Sequence, residues 1–528
     1  MRTRILLGSL FLLALRTPVS AQLAGELDPS FNATGYFLND GGSSDNLQDM
    51  TVLPNGKILA TGVSFNPNFN GSRLVVLRSL PDGTPDVTFD GDGKYEFEIG
   101  AEQYGYAVEG LPNGQVLVAG GVSDPSGSVQ LLLLRLNEDG SPDIGFAIGG
   151  FNLVDNNDGA EDIAQAMTVQ PDGKILLAGY IHNELGQAVP SVYRFTDTGF
   201  LDETFGTAGL AILPVEEAEN EFTTIAVRPD GKIVATGHYS IFFNIWGFLV
   251  AQFDENGVLD PAFGPADDDF EGFTVRRAGP NWDESSGMAF TPGGEIVIAG
   301  TTMTEEFTLQ MCVAKFSAGG VLDETFGTNG FAVYGETAED VAMDCVLQPD
   351  GKILAGGSSG EGAISGNLAL ALWRFTPEGT LDPTFNTDGV ATVEIGEGVD
   401  DINALALQSD GKLLAGGRSH NGTDYDHLIA RFFTSGSVGI DENGSATLVL
   451  APNPVEPGGT IRFNIPDNAD LRFMEILDAS GRVAAVIPVS GGTNSVTIPE
   501  ALNDGAYALR SVDARGERSL AAPLMVVH

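Results

Sequence analysis

Short stretches of this chain alternate apolar and polar positions, and the stretches recur. QPDGKILLAG (170–179) has near-copies in LPNGKILATG (53–62), LPNGQVLVAG (111–120), RPDGKIVATG (228–237), TPGGEIVIAG (291–300), QPDGKILAGG (348–357) and QSDGKLLAGG (408–417). Their turn glycines, Gly56, Gly114, Gly173, Gly231, Gly294, Gly351 and Gly411, are 58, 59, 58, 63, 57 and 60 residues apart. A steady spacing of that kind makes the repeat the unit of architecture.

Each repeat reads as four strands. An alternating run such as AMTVQ precedes the turn, and an apolar run such as KILLAG follows it. In x-P-D-G-K the proline presets φ, the aspartate or asparagine bonds its own backbone and the glycine supplies positive φ, which predicts a type I hairpin turn with a bulge. A third run, for example LLLLRLN (131–137) or HLIARF (427–432), is apolar almost throughout, as a strand covered on both faces must be. Then comes an L-D-x-x-F motif, as in LDPSF (27–31), PDVTF (85–89), LDETF (201–205) and LDPTF (381–385). Asp before Pro or Glu has the form of an N-cap, so one helical turn is expected to plant the Phe under the next unit. A fourth run with charged alternation, such as KYEFEI (94–99), completes the repeat.

Seven such repeats predict an all-β fold, a seven-bladed β-propeller with four strands per blade, over residues 22–435. Small residues at Ala107, Ala166, Ala226, Ala289, Ala404 and Ala406 place the strand before the turn innermost. The charged fourth strand suits an exposed edge. Tyr36–Asn39 is expected to close the last blade around Leu428–Phe432. After a linker (436–445), short strand-like runs from ATLVLAP to LAAPLMVV fit a small Ig-like β-sandwich over 446–528.

The decapeptide and L-D-x-x-F together resemble the delta-60 repeat family of β-propellers, over about residues 25–435. That resemblance implies a fold and an extracellular setting, and no catalytic set. The tail resembles the C-terminal sorting domain of the type IX secretion system through Pro452-Asn453-Pro454, Asp478, Gly481-Arg482, Gly505, Tyr507, Leu509 and Arg510. The resemblance implies a Bacteroidetes-type host and passage across the outer membrane, with the type IX machinery as partner. It also implies removal of the tail and a product released or held at the cell surface.

Charge and chemistry narrow the picture. Arg2 and Arg4, the apolar run Ile5–Leu15 and Val19-Ser20-Ala21 have the form of a secretory signal peptide (1–21), too short to span a bilayer. No later apolar run is long enough to do so. The 72 acidic against 26 basic residues, a net charge of −46, argue against nucleic-acid binding. Cys312 and Cys345 occupy apolar slots of the repeat and are expected to be free buried thiols. No Gly-x-Ser-x-Gly, His-Glu-x-x-His or phosphate-binding glycine loop occurs. The cluster His420, Asp424, Asp426 and His427 reads as a solvated loop.

An acidic position recurs ten residues before each turn: Asp45, Asp162, Asp283, Asp340 and Asp400, with Gln103 and Asn220 in the same slot. Neighbours such as Glu221, Glu284 and Asp401 add charge. With the following strand innermost, these groups ring one mouth of the channel, to hold a divalent cation or to bond loop amides. Trp282 beside Asp283 is the candidate sugar-stacking aromatic. No cofactor is expected beyond that cation. The expectation is a non-enzymatic exported scaffold for an extracellular glycan or protein. The alternative is an extracellular propeller hydrolase or lyase acting on polysaccharide.

Overall fold

The computed structural model describes residues 23–435, save 68–70, 124–126, 156–161, 184–185, 216–219, 243–244, 267–269 and 362–366, and parts of 450–526. The segments expected to be a signal peptide (1–21) and a linker (436–445) lie outside the described residues. The repeats, up to Val438, form one compact part, and the C-terminal residues from Gly439 belong to another.

In the first repeat, Asp45–Val52 pairs antiparallel with Ile58–Phe65, which pairs with Ser72–Ser79, which pairs with Lys94–Phe97. We call these strands, in that order, the inner, second, third and outer strands of unit A (45–97). Units B (102–154), C (163–212), D (221–276), E (283–334) and F (339–393) repeat the order. Unit G (400–432) takes its outer strand from the start of the chain: Tyr36–Asn39 pairs antiparallel with Tyr425–Phe432, Leu38 opposite Leu428. This is the expected closure. The inner strands stand side by side, A against B and onward to G against A. The fold is all-β and propeller-like.

The local chemistry follows the repeat. At the first turn Gly56, with φ +81°, donates its amide to Leu53 O, while Leu53 N bonds Lys57 O across the bulge. The cores lie between units: Leu176, Ala178 and Val192 of C cluster with Phe222, Ile225 and Ile233 of D. Cys312 and Cys345 are free and buried, in separate clusters.

The L-D-x-x-F motif departs from expectation. It forms a tight turn, not a turn of helix, because Pro85 stays bridged to Ser79 and holds the chain to its sheet. Asp86 Oδ1 accepts from the Thr88 amide and hydroxyl, and its Oδ2 accepts from Arg78 Nε at 2.7 Å. The Arg78 guanidinium lies 4.6 Å from the centre of the Phe89 ring and donates to Glu138 O of the next unit. Arg194, Asp202, Phe205 and Glu255 O repeat this set, as do Arg374, Asp382, Phe385 and Thr434 O, and Arg431, Asp28, Phe31 and Pro81 O. The Phe is planted under the next unit as expected. A Cβ built on Gly199 would fall 2.5 Å from the Phe146 ring, so that turn must be glycine.

Every inner strand carries a β-bulge at the same place, between Leu47 and Asp49 in A and between Phe222 and Thr224 in D, for example. A bulge re-aims the extra residue, and in three units that residue reaches the next inner strand. Gln165 Nε2 donates to Glu221 Oε2 at 2.6 Å, Thr223 Oγ1 to Ser285 O at 2.7 Å, and Asn403 Nδ2 to Leu47 O at 2.7 Å.

In the C-terminal part, Leu450–Ala451, Thr460–Phe463 and Ser495–Thr497 form one sheet. Val483–Pro488, Leu471–Leu477, Gly505–Asp513 and Ala522–Val526 form a second, in that order. Both sheets contribute to one apolar cluster that includes Ile461, Val496, Met474, Ile476 and Leu509. Of the residues that carry the resemblance to a sorting domain, Tyr507 packs against this cluster, and Arg510 pairs with Glu475 directly across the strands at 2.7 Å. Gly505 begins a strand. Pro452, Asn453, Pro454, Asp478, Gly481 and Arg482 lie outside the described residues.

Candidate functional site

The recurring aspartates are buried staples of the loops that lead into the inner strands. Asp45 accepts from Gly41 N at 2.6 Å, and Asp283 accepts from Ala278 N at 3.0 Å, Gly279 N at 3.1 Å and the Thr302 hydroxyl. Asp340 accepts from Glu336 N and Thr337 N, both at 2.9 Å, and Asp400 accepts from Ile395 N at 2.7 Å. Asp162 is likewise fully buried, and Asn220 Oδ1 accepts from Ser240 N. These hydrogen bonds match the loop-amide alternative. The His420–His427 stretch is not a solvated loop throughout: its last residues enter Tyr425–Phe432, and His427 is buried with Nε2 3.1 Å from Val63 O.

Burial has a pH consequence. It pushes Asp45 and Asp283 up to about 6, against the hydrogen bonds they accept. It pushes Glu109 up to about 7, with the Asp49 carboxylate adding to the rise. Burial also disfavours ionised Asp382, but Thr384, Lys352 and Arg374 outweigh it and hold that carboxyl at about 2. A carboxyl raised on folding binds protons that the unfolded chain releases above pH about 4, so its contribution to stability falls as pH rises through 6–7. A depressed carboxyl contributes above pH about 4 and loses that contribution as pH falls toward 2. Thermal unfolding followed by circular dichroism should therefore peak near pH 4 and decline toward pH 7, and Glu109→Gln should flatten that decline. A midpoint higher at pH 7 than at pH 4 would contradict the assignment.

The residues that follow the staples separate one mouth position from the rest. In register, each such residue faces the one that follows the last glycine of the decapeptide: Asp401 faces Arg418, Glu284 faces Thr301 and Glu221 faces His238. In unit G the charge is matched, Arg418 Nε lying 2.9 Å from Asp401 Oδ2. In units D and E two glutamates converge on one imidazole instead. Glu221 Oε1 lies 3.7 Å from His238 Nδ1, and one donor atom each from Glu221, His238 and Glu284 fall within 4.8 Å of one another. Burial lowers His238 to about 4, so the ring is neutral at pH 7 and forms no ion pair there.

Aromatic rings wall this cluster. Trp246, two residues along the hairpin from His238's partner position, stacks on the imidazole with ring centres 4.5 Å apart and planes within 7°. Trp282 stands edge-on to Trp246 at 5.5 Å. Tyr180, His182, Ala188 and Asn220 complete a recess of about 410 Å³. Trp282 is thus a wall of the recess, whereas Asp283 beside it is a staple. His238, Trp246, Tyr180 and His182 were not among the sequence candidates. Their signal is departure from the repeat: the slot of Tyr180 and His238 holds Val63, Gly121, Thr301, Ser358 and Arg418 elsewhere. A larger crevice of about 610 Å³ lies at the turn end between B and C, and one of about 320 Å³ lies at the corresponding place between E and F. Those crevices follow from the repeat. The recess does not.

Six segments, 53–89, 111–146, 170–205, 228–263, 348–385 and 408–438, match the family described as a domain of unknown function (DUF5122) beta-propeller. Among curated proteins none matches the chain. Solved structures similar to it include PorZ of Porphyromonas gingivalis, a surface component of the type IX secretion system, at 14% identity and TM-score 0.38, over 91% of this chain and 59% of that one. The chain thus spans about three-fifths of PorZ. A protein of unknown function from Dyadobacter fermentans is similar at 12% identity and TM-score 0.36, over 75% of this chain and 97% of that one. An ulvan lyase of polysaccharide lyase family PL25 is similar at 10% identity and TM-score 0.47, over 76% and 96%. Likenesses this low transfer no activity. Six of the repeats thus match a β-propeller family model, and no described helix is long and apolar enough to cross a membrane.

Proposed function

We propose that this chain is an exported, non-enzymatic seven-bladed β-propeller that binds an extracellular glycan, and that its C-terminal part is an Ig-like type IX sorting domain. The inner-strand contacts that run from A round to G and back to A support the blade number. The observation that carries the binding role is the recess between C, D and E, where an otherwise repetitive ring breaks its own pattern. Flat indole faces suit the C–H face of a sugar, and carboxylates suit its hydroxyls. Arraying glycans on residues 22–440 should show selective binding, and Trp282→Ala should weaken it roughly tenfold, the size of one lost aromatic contact. Binding that Trp282→Ala leaves untouched would move the ligand elsewhere.

One observation favours a second reading, a polysaccharide-cleaving enzyme: the recess combines carboxylates with a neutral imidazole, unlike groups of the kind that acid–base catalysis needs. Turnover of a polysaccharide panel that disappears in Glu284→Gln would establish it. Under the binding reading there is no turnover.

A further inference from the structure

We propose that Glu221, His238 and Glu284 form a binding site for one divalent transition-metal ion, of the zinc or manganese type, at the floor of the recess. The inference goes beyond glycan binding and does not depend on it, since the ion can be measured alone.

Three observations carry it. The donor set is mixed, two carboxylates and one imidazole, which selects borderline cations over magnesium or calcium, whose sites are built from oxygen alone. Second, His238 is 5% exposed, and its Nδ1 has no hydrogen-bond partner although it points toward Glu221. A buried ring nitrogen left unpaired costs free energy unless something occupies it, and in the tautomer with its proton on Nε2 the imidazole offers Nδ1 as a ligand to a cation between it and the carboxylates. Third, the same register position in unit G places Arg418 against Asp401, so the fold has a way to neutralise this acid, and in unit E it places Thr301 there instead. Glu284 faces Thr301 and makes no ion pair among the described residues.

The supports are in place. Trp246 stacked on the imidazole fixes its plane, Gln165 from unit C donates to Glu221 Oε2, and Glu221 Oε1 lies 3.7 Å from His238 Nδ1. The donor atoms lie within 4.8 Å of one another, and the glutamate side chains have rotatable torsions by which they can draw closer around one ion. Three protein donors leave coordination positions open toward the recess, where a hydroxyl or carboxylate of a ligand can add. A second acidic group, Asp40, Asp45 and Asp426, has no histidine, and Asp45 already accepts from Gly41 N. It serves as the control.

The test uses the untagged full chain, stripped with chelator and titrated with zinc or manganese alone by calorimetry. One ion per chain should bind saturably, and Glu284→Gln and His238→Ala should each weaken binding roughly 100-fold or more, because each removes a ligand rather than a supporting group. Asp426→Asn should leave it unchanged. If His238→Ala does not fold, Glu284→Gln, which keeps the side-chain shape, decides the matter. The proposal is overturned if no saturable ion binds, if binding survives Glu284→Gln, or if Asp426→Asn abolishes it.

Discussion

Deleting residues 22–40 should lower the unfolding midpoint of the repeat region by roughly 10 °C, an effect far larger than the four-residue strand it removes would suggest. The deletion takes Tyr36–Asn39 from the outer edge of unit G and exposes the third strand, Tyr425–Phe432. It also removes Phe31, fully buried under the Gly83 turn of unit A, a loss of about 3–5 kcal/mol for a large core aromatic. Arg431, whose side chain is 7% exposed, loses Asp28 at 2.8 Å and is left as an unpaired buried cation. Breaking one side of such a pair costs about 3–5 kcal/mol. Phe31→Ala alone should show a smaller part of the same shift. Calorimetry that finds the deletion variant as stable as the parent would mean that the chain ends do not clasp the ring.

Removing residues 446–528 should have the opposite pattern: almost no effect on the repeats and a complete effect on their destination. The strands of the C-terminal part pair among themselves around their own apolar cluster, and the repeats bury theirs between blades. The midpoint of the repeats should stay within about two degrees, since no strand of theirs is taken away. In its native host the truncated chain should accumulate in the periplasm. The full-length chain should reach the surface and there lose its C-terminal segment, so that mass spectrometry of the surface form finds no peptide ending in His528. Normal surface delivery of the truncated chain would leave the C-terminal part as an ordinary β-sandwich module.

What could be read from the chain by itself is what repeats. Pro-Asp-Gly-Lys fixes a turn through φ preferences and local hydrogen bonds, and period-two alternation fixes which strands are half covered. Strand order, the innermost position of the alanine-bearing strand and the clasp by Tyr36–Asn39 all follow, because repetition lets seven weak local signals reinforce one another. The L-D-x-x-F segment shows where local reading stops. Its Asp has the form of a helix cap, but the bridge from Pro85 to Ser79 and the arginine from the preceding strand turn it into a lock between units. The bulges are invisible for the same reason: an extra residue in a strand has no composition of its own, and only pairing reveals it.

The recess belongs to tertiary structure almost entirely. Gln165, Glu221, His238, Trp246, Trp282 and Glu284 are spread over some 120 residues and three units, and they meet only because neighbouring inner strands begin at the same mouth. Sequence singled out Trp282 and noted the two glutamates as added charge. It could not show that Asp283 turns inward to hold a loop while Glu284, one residue on, turns toward the recess. That choice is made by the two-residue period of the strand, which sends adjacent side chains to opposite faces, and by which face the next unit covers.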